Sequence, residues 1–421
     1  MNTQYLIDTT NDYYQNVEFL NIFQTIYQQS AKEYCSLIDE ISKQNSNNLY
    51  WWISITASRT SNRSSLYKDF CIVRSIEHFS SLHGTNYNFV VSSSAIKISL
   101  NQIMGPICPE ITVKSYRERL NIRFKNYVRP YNFLFNKLLH LILIRFKFSK
   151  LTNNAPITLA EVFLSPTENH ERYYSELQNF LDSKDVKNIF FVPTIINTNP
   201  FSIFKAIKGI RRHKKKYFFR ELYLGVNDLI DAINYKKKYK NLNLSSKNKN
   251  YSNYMPCIEL LANTSLNNEP FNSLSAEGIL NFKFIKNLSK ENNIQIFRFI
   301  DWWENTPMDK GLNLALNLFH PEVNSKGYMG FVPNKYAFQL SPSNQEIFNK
   351  VVPGNIGVIG KAFLPILNRF SETTNSFIAP AFRFEHLKNP ISADRKYLLI
   401  LPSIDPEESK NMIKIIFQVA E

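Results

Sequence analysis

The chain has 421 residues, which exceeds the size at which one hydrophobic core usually stops growing, so two domains are the default expectation. Hydrophobic residues make up 44% of the sequence and only 11 glycines and 19 prolines occur, a composition that excludes a disordered or fibrous protein. The formal charge of +15 favours a polyanionic partner, which is nucleic acid, anionic lipid or a phosphate-bearing small molecule.

The cysteines and the N-terminus indicate a reduced cytoplasmic compartment. Cys35, Cys71, Cys108 and Cys257 show neither a CxxC spacing nor a nearby histidine pattern, which argues against a zinc site or a redox pair. The first residues lack the basic head and apolar block of a secretory signal.

The first third of the chain alternates between helical and strand-like segments. Residues 14–44 have helical spacing, and residues 49–56 read as a short buried strand that leads into a polar loop. Residues 88–93 and 96–100 repeat the strand signal, and residues 115–148 look helical. Basic residues interrupt the lipid-like stretch 131–148. It is therefore either a helix at a domain edge or a helix on a membrane surface.

A βαβ alternation follows. Residues 157–164 predict a strand, residues 168–183 a helix with an acidic start, and residues 188–195 another strand, so a mostly parallel sheet is expected. Residues 205–250 are rich in lysine and read as an insertion or linker. That segment is a solvated surface, a patch facing anionic lipid, or a nucleic-acid contact.

A second α/β alternation begins near residue 256. We predict helices and strands in the order helix 278–293, strand 294–303, helix 308–321, strand 325–332, strand 355–363, strand 375–384, strand 396–405 and helix 406–420. Two doubly wound units joined by a linker would result.

The junction FRFIDWWENTPMDKG, residues 297–311, combines aromatic, acidic and helix-starting residues. A strand ends near Asp301, and a helix begins near Pro307. The loop between them should lie at the carboxyl edge of the sheet, where doubly wound sheets bind ligands. The alternative is ordinary helix capping by the same residues.

Several motifs resemble, in order and spacing, bacterial surface-carbohydrate biosynthesis proteins, a group that includes O-antigen and capsule glycosyltransferases. The family's "WENQ" element corresponds to Trp303–Thr306 and its "GYQG" turn to Gly327–Gly330. Thr306 and Met329 stand where the family usually has Gln. Residues 49–70 and 157–195 are similar to the family's amino-terminal segments, and the basic insertion has no counterpart.

The resemblance implies a GT-B architecture, in which two Rossmann-like doubly wound domains face each other across a cleft. The expected boundaries are an acceptor domain at 1–204, a basic linker at 205–255, a nucleotide-sugar domain at 256–400 and a helix crossing back at 401–421. We expect the loop around Glu304 to open into the gap between the domains, near Ser343 and Lys361. The donor would be CMP- or UDP-linked, such as a CMP-activated nonulosonic acid.

Glycosyl transfer needs a held leaving group, a base near the acceptor hydroxyl, and stabilisation of a cationic sugar. We predict Glu161 and Arg172 as catalytic residues and Arg59 and Arg383 as cations that bind substrate. No metal ion and no cofactor other than the donor are expected. The predicted nucleotide ligands are Glu304, Asn305, Lys310, Gly330, Ser341, Ser343 and Lys361.

The leading interpretation is a cytoplasmic glycosyltransferase at the inner face of the membrane. Its partners would be a nucleotide-sugar, a lipid-linked or oligosaccharide acceptor and an anionic membrane surface, with no nucleic acid. The alternative is a non-catalytic glycan-assembly or scaffold protein, because Thr306 and Met329 depart from the family pattern. A nucleic-acid binder is a third interpretation, supported only by the charge.

Overall fold

A computed structural model of the chain defines the fold over most of its length. It describes residues 5–10, 16–60, 63–114, 120–151, 155–164, 173–174, 177, 188–195, 202–212, 216–248, 251–334, 336–384 and 406–420. Residues 1–383 form one compact unit and residues 384–421 a second. In the second unit the helix predicted at 406–420 is confirmed, whereas the strand predicted at 396–405 lies outside the described residues.

Two sheets are present among the described residues. Their strands are β1 (Tyr5–Asp8), β2 (Tyr87–Val91), β3 (Glu110–Val113), β4 (Ile157–Leu164), β5 (Ile189–Ile195), β6 (Ile296–Trp302), β7 (Asn324–Met329), β8 (Asn355–Val358) and β9 (Ser376–Ile378).

Helices connect and cover these strands. They are α1 (Val17–Gln29), α2 (Ala31–Gln44), α3 (Leu49–Trp52), α4 (Ile55–Ser58), α5 (Leu66–His83), α6 (Ser94–Met104), α7 (Leu120–Lys147), α8 (Ser202–Arg212), α9 (Val226–Ile233), α10 (Met255–Asn268), α11 (Ser273–Leu288), α12 (Pro307–Phe319), α13 (Asn344–Phe348), α14 (Leu364–Leu367) and α15 (Pro406–Ala420). Among these helices, none combines the length and the apolar composition needed to cross a bilayer.

The smaller sheet has the parallel order β1-β2-β3. Helices α1 and α5 pack against it through aromatic side chains. The rings of Phe19 and Phe79 lie 5.7 Å apart, and both contact Phe89 on β2. Such tilted and edge-on ring contacts, together with the buried apolar area, fix the helices on the sheet.

The larger sheet has the order β5-β4-β6-β7-β8-β9, and all of its pairings are parallel. The chain runs from β4 outward to β5 and then returns to β6 on the other side of β4. The strand order therefore reverses between β4 and β6, and open α/β sheets bind ligands in the crevice beyond the carboxyl ends of such a strand pair.

The mixed α/β fold with parallel sheets is as predicted, but the domain boundaries are not. β4 and β5, which belong to the predicted acceptor domain, lie in the same sheet as β6 to β9. One apolar core also extends across both sheets, since it includes Phe89 of β2 and Phe299 of β6. The chain passes from the smaller sheet to the larger one between β3 and β4, and not in the segment 205–255.

The lysine-rich segment is also more structured than expected. It contains α9, and Leu229 and Ala232 of that helix are buried in the main core together with Tyr235. Three lysines, residues 236–238, follow between Tyr235 and the buried Tyr239. The segment is thus part of the first unit and not a linker.

The central helices α11 and α12 cross at two glycines. A Cβ on Gly311 would lie 2.1 Å from the carbonyl oxygen of Gly278, and a Cβ on Gly278 would lie 2.5 Å from the carbonyl oxygen of Pro307. Only glycine permits this close backbone approach, which brings the amino end of α12 against the sheet. This packing positions the junction that follows β6.

Candidate functional site

Three buried carboxylates meet at the point where the strand order reverses. Glu161 lies on β4, Asp301 on β6 and Asp309 in the first turn of α12. The register pairs Ala160 with Ile300, which places Glu161 and Asp301 on adjacent strands at the same level. One oxygen from each of the three carboxylates lies within 4.8 Å of the other two. We call Glu161, Asp301 and Asp309 the carboxylate triad.

Each member of the triad is held by different neighbours. Asp309 Oδ2 accepts from the backbone N–H of Thr306 at 2.7 Å and from its hydroxyl at 3.1 Å, as in a capping box at the start of α12. Asn313 Nδ2 donates to Asp301 Oδ2 at 2.8 Å. Glu161 Oε2 and Asp301 Oδ1 have no hydrogen-bond donor among the described residues. A proton shared by these two carboxyl groups would supply the missing donor.

Burial is the main cause of the electrostatics of the triad. Removal from water, and then the charge of Asp309, raise the pKa of Glu161 to about 8. Burial and the neighbouring Glu161 raise the pKa of Asp301 well above its usual range. Burial and Asp301 likewise raise the pKa of Asp309, although the donors of Thr306 oppose this shift. Near neutral pH the triad therefore retains at least one proton.

Arg220 is a buried cation whose charge opposes the raised pKa of Glu161. Its guanidinium donates to Glu277 Oε2 at 2.6 Å and to Asn281 Oδ1 at 2.7 Å. Lys137 pairs with the other oxygen of Glu277 at 2.5 Å. Because Arg220 is committed to Glu277, it neutralises the triad only in part.

Glu304 connects the triad to an aromatic wall, because its backbone N–H donates to Asp309 Oδ2 at 3.2 Å. Tyr173 packs on Trp302, with ring centroids 4.2 Å apart, and the Arg383 guanidinium lies 5.9 Å from the Tyr173 ring. The Trp302 indole donates to Glu304 Oε1 at 3.1 Å, and the Glu304 side chain is exposed. Glu304, Tyr173 and Arg383 are the solvent-accessible groups of this wall.

Gly330 supports the aromatic wall and is not placed as a ligand. A Cβ at this position would lie 2.5 Å from the Tyr328 ring and 2.6 Å from the Trp302 ring. Its prediction as a nucleotide contact is corrected to a packing role, since the aromatic rings occupy the space beside it.

Most of the other predicted nucleotide ligands form a second buried cluster. Lys310 is fully buried, pairs with Glu346 and donates to the carbonyl of Ala57 at 3.1 Å. Asn305 donates to the carbonyl of Gln339 at 2.7 Å. The ammonium of Lys310 and the amide of Asn305 are already bonded to groups of the protein, so their predicted role is corrected to a structural one.

The same cluster contains Arg59, Ser341 and Ser343. Arg59 is buried, pairs with Glu346, and donates to the Ser341 carbonyl at 3.0 Å. Ser343 is the N-cap of α13, where its backbone N–H donates to Glu346 Oε2 at 2.8 Å. The Ser341 hydroxyl donates to the Ile366 carbonyl at 2.6 Å. Substrate binding by Arg59 and nucleotide binding by the two serines are corrected for the same reason.

Two predicted site residues remain, Lys361 and Arg172. Lys361 is exposed beyond the carboxyl end of β8, and its role stays a prediction. Arg172 lies outside the described residues. The expected gap between the Glu304 loop and the Ser343 and Lys361 loops is not found as predicted, because Asn305 and Ser343 are both enclosed in the core.

Two cavities among the described residues lie elsewhere and contain none of the triad residues. A groove of about 600 Å³ is lined by polar side chains of α1 and α5, including Arg74, Glu77 and His78. A cavity of about 290 Å³ lies at the carboxyl end of β2, where Ser92 and Ser93 face Ser64 and Ser65. The polar loop predicted after residue 56 does contribute to this second cavity, although the strand predicted before it is helical.

Compared with protein-family models, curated proteins and solved structures, the chain matches none. The resemblance to surface-carbohydrate glycosyltransferases therefore depends on the motifs alone. Those motifs include the triad residue Glu161 and the loop at Glu304.

Sequence reasoning identified one member of the triad and missed two. Glu161 was predicted as the base, and the structure adds Asp301 and Asp309 as its neighbours. The available signal was an acidic residue near the end of two strands, followed by another acid in the first turn of a helix. Glu161 is 140 positions before Asp301 in the sequence, so only the pairing of β4 with β6 brings it to the two aspartates.

Proposed function

We propose that the protein is a glycosyltransferase that moves a sugar from a nucleotide donor to a hydroxyl acceptor, with Glu161 as the base. The observation that supports this best is a carboxyl group with a pKa of about 8 at the reversal point of a parallel sheet. A base whose pKa lies near the working pH is the type that proton abstraction from a hydroxyl requires.

In the proposed reaction the acceptor oxygen forms a bond to the anomeric carbon of the donor sugar. The bond from that carbon to the nucleotide phosphate breaks, and its electron pair leaves with the phosphate. The acceptor proton passes to the Glu161 carboxylate. The charge of Asp309 raises the pKa of Glu161, whereas the hydrogen bond with Asp301 lowers it, so both tune the base without contacting the reacting atoms.

The exposed groups of the aromatic wall suit the donor. Glu304 can accept from ribose hydroxyls because a carboxylate offers only acceptors, and Tyr173 offers a ring face to a base or sugar. Arg383 can form a two-pronged contact with a phosphate, or with the carboxylate of a nonulosonic acid. We retain a GT-B relationship and a surface-glycan acceptor as parts of this proposal.

The chemistry can be tested with the full chain and a panel of CMP- and UDP-sugars, with nucleotide release as the readout. We expect turnover with at least one donor, and a loss of about 10²–10⁴-fold in Glu161→Gln with donor binding retained. The exposed carboxylate Glu372 provides a control, because Glu372→Gln should leave the rate unchanged. Unchanged turnover in Glu161→Gln would exclude Glu161 as the base.

Donor binding is tested separately by thermal stabilisation. We expect a cytidine or uridine nucleotide to raise the midpoint of unfolding, and Glu304→Ala to abolish that shift. Arg383→Ala should weaken the shift for donors that carry a phosphate or carboxylate. No stabilisation by any nucleotide of the panel would contradict the donor site.

A non-catalytic glycan-assembly role is the second candidate. The observation that favours it is the burial of Arg59, Asn305 and Lys310, since these predicted ligand groups stabilise the interior. A scaffold should bind glycan or nucleotide without releasing nucleotide product. The release assay therefore separates the two candidates.

A further inference from the structure

Helix α7 carries five exposed apolar side chains along one face. These are Tyr127, Tyr131, Phe135, Ile142 and Phe146, and each is between 55% and 79% exposed. We call these five residues the α7 stripe. Large apolar side chains in a contiguous exposed patch usually mark an interaction surface, whereas single exposed residues do not.

The spacing of the α7 stripe places it on one face. Its members are separated by four, four, seven and four residues, so at about 100° per residue they fall within an arc of about 100°. From Tyr127 to Phe146 the stripe is about 28 Å long. The opposite face is already used by the fold, because His140 and Leu141 and also Ile144 are buried.

The charges of α7 indicate what the stripe contacts. The helix has 28 residues, of which six are Lys or Arg and none is Asp or Glu. Arg145, within the arc of the stripe, and Lys147 are exposed, and the Lys147 ammonium lies 4.9 Å from the Phe146 ring. Aromatic side chains next to cations, without acids, match the boundary of an anionic bilayer, where rings enter the headgroup layer and cations meet lipid phosphates.

A second copy of the chain is a poorer occupant. Pairing two α7 stripes face to face would bring together two helices whose exposed charges, Arg129, Arg145 and Lys147, are all basic, with no acid on either helix to offset them. A negatively charged lipid surface has the opposite effect, since each exposed basic residue adds attraction.

We propose that the α7 stripe binds the interfacial layer of an anionic membrane, with the helix axis parallel to the surface. The side chains of the stripe would enter the boundary between headgroups and acyl chains, to a depth of about 5–10 Å. This inference concerns a surface outside the carboxylate triad, and it holds whether or not the protein is a transferase.

The test uses the full chain with two kinds of vesicle. One is pure phosphatidylcholine, and the other contains an equal amount of phosphatidylglycerol. We expect cosedimentation with the anionic vesicles only, weakened by salt. The double variant Phe135→Asp/Phe146→Asp should bind at least about ten-fold more weakly, since it loses two rings that would be buried in the membrane. Phe348 is 76% exposed on another helix, so Phe348→Asp is the matched control and should bind like the wild type.

A second readout reports insertion directly. All four natural tryptophans are buried, so brominated acyl chains should not quench them. A tryptophan placed by Phe135→Trp should be quenched by brominated anionic vesicles, whereas one placed by Phe348→Trp should not. Equal quenching of the two variants would contradict the proposed orientation.

Three results would overturn the proposal. The wild type could fail to bind anionic vesicles, or the double aspartate variant could bind as well as the wild type. The third is self-association of the wild type, measured by sedimentation, that the double variant abolishes while vesicle binding is unchanged. That result would assign the stripe to a second copy of the chain.

Discussion

Replacing Glu161 by glutamine should make the folded protein more stable while it removes the proposed base. The reason is proton linkage. Burial raises the pKa of Glu161 from 4.5 to about 8, so between these values the folded state binds a proton that the unfolded state releases. Stability therefore falls as the pH rises through this window. The glutamine side chain would keep an N–H donor toward Asp301 without needing that proton.

The size of the loss in unfolding free energy follows from the interval between the two pKa values. Each pH unit between the two pKa values costs about 1.4 kcal/mol of unfolding free energy. The wild type is thus destabilised by about 3 kcal/mol at pH 7 and by less than about 1 kcal/mol at pH 5. Glu161→Gln should recover most of this difference, so its advantage over the wild type should grow with pH and level off above pH 8.

The assay is denaturant or thermal unfolding of both proteins at several pH values from 5 to 9. Glu372→Gln serves as the control, because Glu372 is exposed and its replacement should give no pH-dependent difference. The linkage reasoning is refuted if Glu161→Gln is less stable than the wild type throughout, or if their difference does not change between pH 5 and pH 8.

The same unfolding experiment distinguishes a triad that is neutralised by a shared proton from one that is neutralised by a bound divalent cation. Carboxylate oxygens are the ligands that Mg²⁺ and Mn²⁺ prefer, and three of them lie within 4.8 Å of one another. If a divalent cation neutralised the triad, Glu161→Gln would lower the unfolding midpoint and a chelator would lower that of the wild type. With a shared proton, the chelator has no effect and the glutamine variant gains stability.

Two further predictions concern the packing that holds the site, and each has a matched control. Gly311→Ala should destabilise the protein by about 3 kcal/mol or more in urea unfolding, because its Cβ would meet backbone atoms. Gly209→Ala, in a helix with open space around the glycine, should instead be neutral or stabilise by up to about 1 kcal/mol. Glu346→Gln should cost about 3–5 kcal/mol in the same assay, because it leaves two buried cations without a counter-charge. Glu291→Gln breaks a partly exposed pair and should cost less than about 1 kcal/mol; equal losses in the two glutamine variants would contradict this assignment.

The strands of the larger sheet were predictable because buried parallel strands have a clear sequence signature. β4, β5 and β6 are short runs of apolar and β-branched residues between turn signals, and the structure places them within two residues of the predicted bounds. The helices α11, α12 and α15 were also found from their periodicity. Long patterned segments carry enough local information to fix their type.

Short apolar runs did not carry that information. Residues 49–56 and 96–100 were predicted as strands, and the structure places them in α3, α4 and α6. α3 and α4 are short and mostly buried, so their residues show no diagnostic alternation, and the five residues 96–100 are too few to show the helical period of α6. The missed signals were the caps: Asn48 accepts from the N–H of Tyr50, and Ser93 accepts from that of Ile96.

The lack of local information also explains why several residues predicted as ligands have a structural role instead. Lysine at the start of a helix is compatible with phosphate binding and with an internal ion pair, and the sequence cannot choose between them. Lys310 and Arg59 belong to the second case only because Glu346, from a distant helix, lies between them. Tertiary contacts decided the role, and no local pattern encodes them.

The charge balance of the interior is the strongest reason to regard the triad as functional. Two other carboxyl groups of the described core are each matched by two cations: Glu346 pairs with Arg59 and Lys310, and Glu277 with Arg220 and Lys137. The triad has three carboxylates, and no salt bridge to any of them occurs among the described residues. Such a cluster costs stability, since at least one carboxyl group must be kept protonated against its solution pKa. A carboxylate cluster without a paired cation, at the reversal point of a parallel sheet where ligands bind, is therefore the candidate site that the interior charges favour.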